Sequence, residues 1–316
     1  MSAGAAPPRP PRPPLPAGTV GRYVLGARPR TLPAAVVPVL VGTALAYATS
    51  RGRFAHGPGP APAMGWWKAL GALVVSLAVQ IGTNYANDYA DGVRGTDERR
   101  VGPPRMVASG LAAPGAVRRA AIVSFAVAAA AGTALAAVTT WWLIPIGAAC
   151  IAAGWFYTGG PRPYGYLGLG ELFVFVFFGV VATAGTTYVA VGRIPGATWV
   201  AATSVGLLAT ALLEANNLRD VAGDTRSGKR TLAVRLGASR ARWLYVASVE
   251  GALGAGALVA LWRPWALLVL AATPLALRPV RLVWSGAQGP GLLPVLAATG
   301  RLQIAAGALL ALGIVL

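Results

Sequence analysis

Residues 84–98 read NYANDYADGVRGTDE and residues 216–230 read NNLRDVAGDTRSGKR. The chain holds nine acidic residues in 316, and six of them, Asp88, Asp91, Asp97, Glu98, Asp220 and Asp224, lie in these two stretches. Each stretch closes a long apolar run, where a carboxylate costs kilocalories unless it has a partner or a task. The two stretches therefore mark both the ends of membrane-spanning helices and the first place to look for chemistry.

The rest of the chain agrees. Apolar residues make up 56% and charged residues 11%, against roughly a quarter charged in a soluble domain. A span needs about 20 mainly apolar residues, and nine such runs are expected, near 32–49, 66–88, 117–138, 141–158, 169–191, 197–217, 241–262, 264–284 and 293–316. The expected fold is an all-α integral membrane bundle of about nine transmembrane helices. With the N-terminus inside, 21 of the 27 basic residues fall on the inner side and five on the outer, while Arg301 lies within the last run. That asymmetry places the N-terminus and both acidic stretches in the cytoplasm and the C-terminus outside.

Residues 1–20, MSAGAAPPRPPRPPLPAGTV, are proline-rich and basic and read as a disordered tail, so the membrane domain is expected over 21–316. The net charge of +18 is explained by inner loops facing anionic lipid headgroups; no nucleic-acid motif is present. Cys150 stands alone inside an apolar run and reads as a structural thiol. The single histidine, His56, falls in an outer loop, which excludes a histidine base or a His-rich metal site at the inner face. An Asn/Asp cluster ends run two and another ends run six, each followed by a basic loop, an echo that suggests two four-span halves plus a ninth span around a central cavity.

Asn84, Asn87, Asp88 and Asp91 stand at i, i+3, i+4 and i+7 and are expected on one helix face. Asn217, Asp220 and Asp224 repeat the arrangement. Carboxylates one turn apart repel unless a cation intervenes, and oxygen-only ligand sets suit hard ions such as Mg²⁺, which takes one or two carboxylates plus waters and substrate phosphates. Two sparse carboxylate faces with Arg94, Arg105, Arg219, Arg226, Lys229 and Arg230 nearby fit a metal-bridged diphosphate. GDTRSGKR at 223–230 misses the P-loop pattern, because Arg230 replaces its Ser/Thr and no strand precedes it. Gly165, Gly168 and Gly170 in YGYLGLGE read as a loop leading into a helix. A divalent-cation transporter is the alternative class, yet it requires ionisable residues near mid-membrane, and only Glu250, with Glu171 and Glu214 near run ends, lies within the runs.

These residues resemble the UbiA superfamily of intramembrane prenyltransferases, and within it the 1,4-dihydroxy-2-naphthoate polyprenyltransferases of menaquinone synthesis. NDYADGVRGTD at 87–97 is similar to that branch's N-D-Y-x-D-x-x-x-G-x-D motif, and NNLRDVAGDTRSGKRTLAVRLG at 216–237 to its second motif. ARPRTLPA at 27–34, GPPRMVASG at 102–110 and YTGGPRPYGYLGLGE at 157–171 match further, and the resemblance covers about residues 21–316. It implies a UbiA-type helical bundle in the cell membrane with its active site facing the cytoplasm. The implied reaction is Mg²⁺-dependent transfer of a polyprenyl group from its diphosphate to 1,4-dihydroxy-2-naphthoate, with loss of CO₂ and diphosphate, giving demethylmenaquinone or its quinol. Another aromatic acceptor, 4-hydroxybenzoate or homogentisate, is the alternative within the superfamily.

On this reading Asn87, Asp88, Asp91, Asp97, Asp220 and Asp224 hold the metal, with Asp88, Asp91, Asp220 and Asp224 the catalytic acids. Arg105, Lys229 and Arg230 add positive charge to the departing diphosphate, Asn84, Asn87 and Asn217 assist substrate binding, and Tyr157 and Tyr164 line the cavity near the ring. If the attacked carbon carries the carboxylate, decarboxylation restores aromaticity and no ring proton has to be removed, which suits a site without histidine.

Overall fold

The computed structural model describes residues 18–54, 61–96 and 104–316. Among them there is no strand, and the chain is a succession of helices. They are α1 (Thr19–Ala27), α2 (Pro33–Ser50), α3 (Trp66–Val93), α4 (Pro114–Ala137), α5 (Leu143–Phe156), α6 (Gly170–Val191), α7 (Gly196–Arg226), α8 (Leu232–Leu261), α9 (Pro264–Trp284) and α10 (Gly289–Val315). Helices prevail because hydrocarbon offers backbone groups no partner, so each segment must satisfy its own. Proline opens α2 and α4 at their first position, where its missing N–H costs nothing.

Eight of these helices are long and apolar enough to cross a membrane, and eight of the nine expected runs match them. The remaining run, 141–158, is α5, a helix of 14 residues, about 21 Å long at 1.5 Å per residue. Its flanks account for the difference: Trp141 and Trp142 precede the helix, and Thr158 to Pro161 leave it. At the N-terminus α1 reaches back to Thr19, two residues into the segment assigned to the tail; residues 1–17 lie outside the described residues, as does His56.

The halves echo each other in packing. In the first, α3 lies along α4; in the second, α7 lies along α8; α10 then closes the bundle against α2 and α9. The main core runs through Val41 and Leu45 of α2, Val205 and Leu208 of α7, Tyr245 and Val249 of α8, and Leu302 and Leu310 of α10. Small residues allow the closest approaches, as in membrane bundles generally. Where α6 crosses α7, a Cβ added to Gly179 would lie 2.4 Å from the Cα of Gly206. That crossing falls inside Phe175–Val181, which winds as a π-helix, a form common at functional sites.

Polarity divides the bundle lengthwise. Exposed Trp66, Trp67, Trp141, Trp142, Trp199, Trp262 and Trp265 belong to the helix ends and loops farthest along the chain from the Asn/Asp clusters, while Trp243 and Trp284 pack edge-on with ring centroids 4.3 Å apart on the helices nearest them. Exposed tryptophans near helix ends are what a bilayer interface selects.

The α6–α7 crossing gives a direct test of this packing. Gly179→Ala forces overpacking worth about 1–3 kcal/mol and should lower the melting temperature in detergent. Gly185→Ala, on the same helix with open space around it, should leave it unchanged; equal melting of the two variants would show that the crossing is looser than described.

Candidate active site

The C-terminal ends of α3 and α7 carry the two acidic stretches, and the structure joins them. Lys229, three residues past α7, donates to Asp91 Oδ1 on α3 at 3.1 Å. The same oxygen accepts the hydroxyl of Tyr166 from the loop before α6. The Lys229 ammonium also lies over the Tyr166 ring, 4.6 Å from its centroid, with the Arg94 guanidinium 5.6 Å from that centroid. Asp91 is 4% exposed, so these donors replace the water that a carboxylate otherwise needs.

The expected single face of α3 divides. By helix geometry Asn87 and Asp88 stand at its two edges, about 100° apart. Asn87 and Asp91 look toward the gap between the halves, where Thr158 Oγ1 donates to Asn87 Oδ1 at 2.8 Å. Asn84 and Asp88 look the other way. Asn84 Nδ2 donates to the Ala27 carbonyl at 2.9 Å and Thr31 Oγ1 at 3.0 Å, fixing the bend between α1 and α2. Asp88 is 1% exposed, and its oxygens accept the backbone N–H groups of Met106 and Val107 at 2.9 and 3.1 Å. It thereby anchors the turn that carries Arg105, with Met106 fully buried beside it. Asp97 and Glu98 lie outside the described residues.

On α7, Asp220 receives Arg219 through both oxygens, at 2.7 and 2.6 Å, and Arg219 also donates to Asn216 at 2.8 Å. Asp224 Oδ2 faces the Thr231 hydroxyl at 3.5 Å, and its carbonyl takes the Lys229 N–H at 2.9 Å. Asn217 turns inward and donates to Glu171 Oε1 at 2.8 Å. The GDTRSGKR stretch is the end of α7 followed by a turn through Gly228, not a phosphate loop. Its arginine at 230 is exposed in its side chain, while its N–H holds the Tyr166 carbonyl at 3.0 Å.

The loop over 157–169 lies between the two ends. Arg94 holds it through the carbonyls of Thr158 and Gly160. Gly168, at φ 75°, turns the chain into α6, as the glycine spacing predicts. Tyr164 donates to the Ala153 carbonyl at 2.8 Å and stacks on Phe173, so its hydroxyl serves α5. Tyr157 meets Tyr164 edge-on. Burial, then the negative charges of Glu171, Asp91 and Asp224, hold its phenol well above the ordinary range, so Tyr157 stays a neutral donor between both acidic ends. Tyr166 is pushed up by burial and by Asp91. For Lys229 burial works downward, but Asp91 and the Tyr166 ring outweigh it and raise the ammonium above its usual value.

Among the described residues no three His, Cys, Asp or Glu side chains converge into a preformed metal cage. Asn87, Asp91 and Asp224, with Asp220 one turn before the last on α7, offer oxygen ligands, which fit a hard cation shared with a phosphate ligand. Lys229 and Arg219 are the positive charges that Asp91 and Asp220 hold here. Sequence reasoning missed Tyr166, Thr158 and Glu171; the acid of Gly170–Glu171, one of only nine in the chain, was the available signal for the last.

Two apolar openings flank this end. A cavity of about 230 Å³ is lined by Ala86, Tyr89, Val93, Arg94, Trp155 and Gly160, and a groove of about 310 Å³ between α2 and α10 by Leu32, Val36, Leu40 and Ile304, among others.

The family model described as "UbiA prenyltransferase family" matches residues 35–291. Over 281 residues the chain is 50% identical to the 1,4-dihydroxy-2-naphthoate octaprenyltransferase of Mycobacterium leprae, covering 88% of this chain and 91% of that protein. It is 36% identical over 306 residues to the Escherichia coli protein of the same name, covering 92% and 93%. Among solved structures, a UbiA homologue from Archaeoglobus fulgidus bound to GPP and Mg²⁺ superposes with a TM-score of 0.64 at 18% identity, over 92% of this chain and 99% of that one. A UbiA homologue from Aeropyrum pernix K1 gives 0.64 at 15% identity, over 86% and 96%. These two likenesses establish the fold.

The Asp91–Lys229 pair is testable apart from catalysis. Lys229→Met leaves a buried carboxylate unpaired, a change worth about 3–5 kcal/mol, and unfolding in detergent should register it. Asp91→Asn combined with Lys229→Met should recover most of the loss. Because the Lys229 value is raised, the pair's contribution is complete below about pH 10 and fades only as pH rises through the folded value. Wild-type stability should therefore show no loss from this pair between about pH 6 and 9.

Proposed function

The chain belongs to the UbiA prenyltransferase family, and from that membership we propose that it transfers a polyprenyl group from its diphosphate to 1,4-dihydroxy-2-naphthoate, releasing CO₂ and diphosphate and forming demethylmenaquinone or its quinol. The observation that carries the reading is the meeting of two separate sequence motifs in space, Asp91 of NDYADGVRGTD with Lys229 of the GKRTLAVRLG segment. The acceptor is supported by the 50% identity to the mycobacterial naphthoate enzyme. As a family member with eight apolar spans, the chain is a multi-pass membrane enzyme; we place it in the cell membrane with the acidic end in the cytoplasm, from the distribution of basic residues.

The diphosphate sits between the ends of α3 and α7. Lys229 leaves Asp91 to reach it, and Arg105, on the turn that Asp88 anchors, is the further cation for its remaining oxygens. Asn87, Asp91, Asp220 and Asp224 would hold Mg²⁺, consistent with the Archaeoglobus homologue described as bound to GPP and Mg²⁺; when bound, the ion neutralises charge on the leaving diphosphate. Asp88 and Asn84 act behind the site, fixing the Met106 turn and the α1–α2 bend. Tyr157, kept protonated, lines the space between diphosphate and ring.

Stabilising the leaving group is the main catalytic need, because departure of diphosphate leaves an allylic cation open to an electron-rich ring carbon. The prenyl chain stays in lipid, since each buried methylene is worth about 0.8 kcal/mol, and the groove between α2 and α10 is an apolar opening that reaches this end. Membrane lipids are accordingly partners, and nucleic acid is not.

Purified protein in detergent, given a prenyl diphosphate and Mg²⁺, should consume dihydroxynaphthoate with one CO₂ per product. Turnover of 4-hydroxybenzoate without CO₂ instead would move the assignment to the other acceptor. Asp91→Asn and Asp220→Asn should each cut turnover at least about a hundredfold, and chelation should stop the reaction until Mg²⁺ is restored. Activity in excess chelator would overturn the metal-bridged mechanism.

A further inference from the structure

Glu171 stands in the first turn of α6, and its side chain is 7% exposed. One oxygen, Oε1, accepts Asn217 Nδ2 at 2.8 Å. The other, Oε2, is buried and has no hydrogen-bond partner among the described residues. No Lys or Arg among them pairs with this carboxyl either. A buried carboxyl oxygen left alone requires an explanation, and a role in holding α6 to α7 is already met by Oε1.

The position of Glu171 supplies that explanation. Asn217, which orients it, lies three residues before Asp220 on α7. The N-terminus of α6 abuts Tyr157, since a Cβ at Gly170 would lie 3.3 Å from that ring and 3.5 Å from its hydroxyl. Tyr157 in turn feels Glu171, Asp91 and Asp224 together. Glu171 is thus set one aromatic ring in from the acidic helix ends, on the bundle side of the diphosphate position. The other titratable groups around it are Glu214 from α7, whose Oε1 accepts Ser248 of α8 at 3.0 Å and whose Oε2 also has no hydrogen-bond partner among the described residues, and Tyr157 and Tyr164 from the preceding loop; of the two carboxyls only Glu171 adjoins Tyr157 at the start of α6.

We propose that Oε2 of Glu171 accepts the hydrogen bond of a ring hydroxyl on the aromatic acceptor and takes its proton as the ring attacks the prenyl carbon. This rests on the naphthoate reading above. The bond between prenyl carbon and diphosphate oxygen breaks with its pair leaving on diphosphate. A ring pair forms the new carbon–carbon bond while the hydroxyl proton passes to Glu171. The ring carboxylate then departs as CO₂, its bonding pair returns through the ring to the oxygen, and that oxygen recovers the proton from Glu171 to give the quinol. Proton count and electron count both close without an oxidant. The site needs no histidine because the proton is only borrowed.

The test uses the full-length protein in detergent with a prenyl diphosphate and dihydroxynaphthoate. E171Q keeps an oxygen for Asn217 but cannot take a proton, so kcat should fall about 10²–10⁴-fold while the KM for diphosphate stays within about twofold and the acid limb of the kcat profile disappears. E171D should recover a substantial part of the rate. A kcat in E171Q within about tenfold of wild type, or an equal loss of diphosphate affinity, would overturn the role. Should E171Q not fold, the acid limb in E171D decides: a displaced limb supports the base, an unmoved one refutes it. Wild-type turnover in the same assay reports separately on the naphthoate reading; without it both fall.

Discussion

The ion pair between Lys229 and Asp91 ties the end of the first half of the bundle to the loop that follows the second. Both groups are nearly withdrawn from water, with side chains 12% and 6% exposed, in a part of the chain flanked by lipid-soluble helices. A carboxylate there is tolerable only with a cation or with several N–H and O–H donors, and three of the acids at this end have one or the other. Asp91 has Lys229 and Tyr166, Asp220 has Arg219, and Asp88 has two backbone amides. These negative charges are therefore already matched, and on the proposed reading diphosphate binding exchanges one set of positive charges for another rather than creating a new buried charge.

That constraint orders the neighbouring parts. The loop over 157–169 has to lie between the halves because Tyr166 supplies one of Asp91's two donors, and Arg94 secures it by its backbone carbonyls. Once there, the loop carries Tyr157 and the start of α6, and with them Glu171, into the space between α3 and α7. Asp88 works on the far edge of α3, drawing in the Met106 turn that precedes α4.

Much of this was legible in the sequence. Hydropathy and length located eight spans, because a bilayer imposes one physical requirement on every segment that crosses it, but stopped nine residues short of the polar ends of α7 and α8, which hydropathy does not mark. The acidic stretches were legible for the same reason, since charges stand out against an apolar chain. Helical spacing was a poorer guide to the site: it grouped Asn84, Asn87, Asp88 and Asp91, yet an arc of about 100° lets its two edges meet different neighbours, and those neighbours come from residues 27–31, 106–107 and 158–166. Tyr166 and Thr158 were hidden because a phenol or hydroxyl in a loop has no sequence signature until something charged is opposite it. Glu171 was visible as a rare acid but could be given no role before Asn217 was seen to hold one of its oxygens and leave the other.

The arrangement also grades polarity along the bundle in the order the reaction requires. Full charges cluster at the helix ends, where, on the proposed reading, a diphosphate remains near water. Further inward the groups are a neutral phenol, an amide and two buried carboxyls, Tyr157, Asn217, Glu171 and Glu214. The groove between α2 and α10 is apolar throughout. A molecule with a charged head, a reacting carbon and a long hydrocarbon tail meets each environment in turn, so its position along the bundle axis is set by solvation before any specific contact forms. On the reading proposed above, the few polar groups at the boundary then orient the acceptor ring against a carbon whose depth is already fixed, and Glu171 takes the hydroxyl proton.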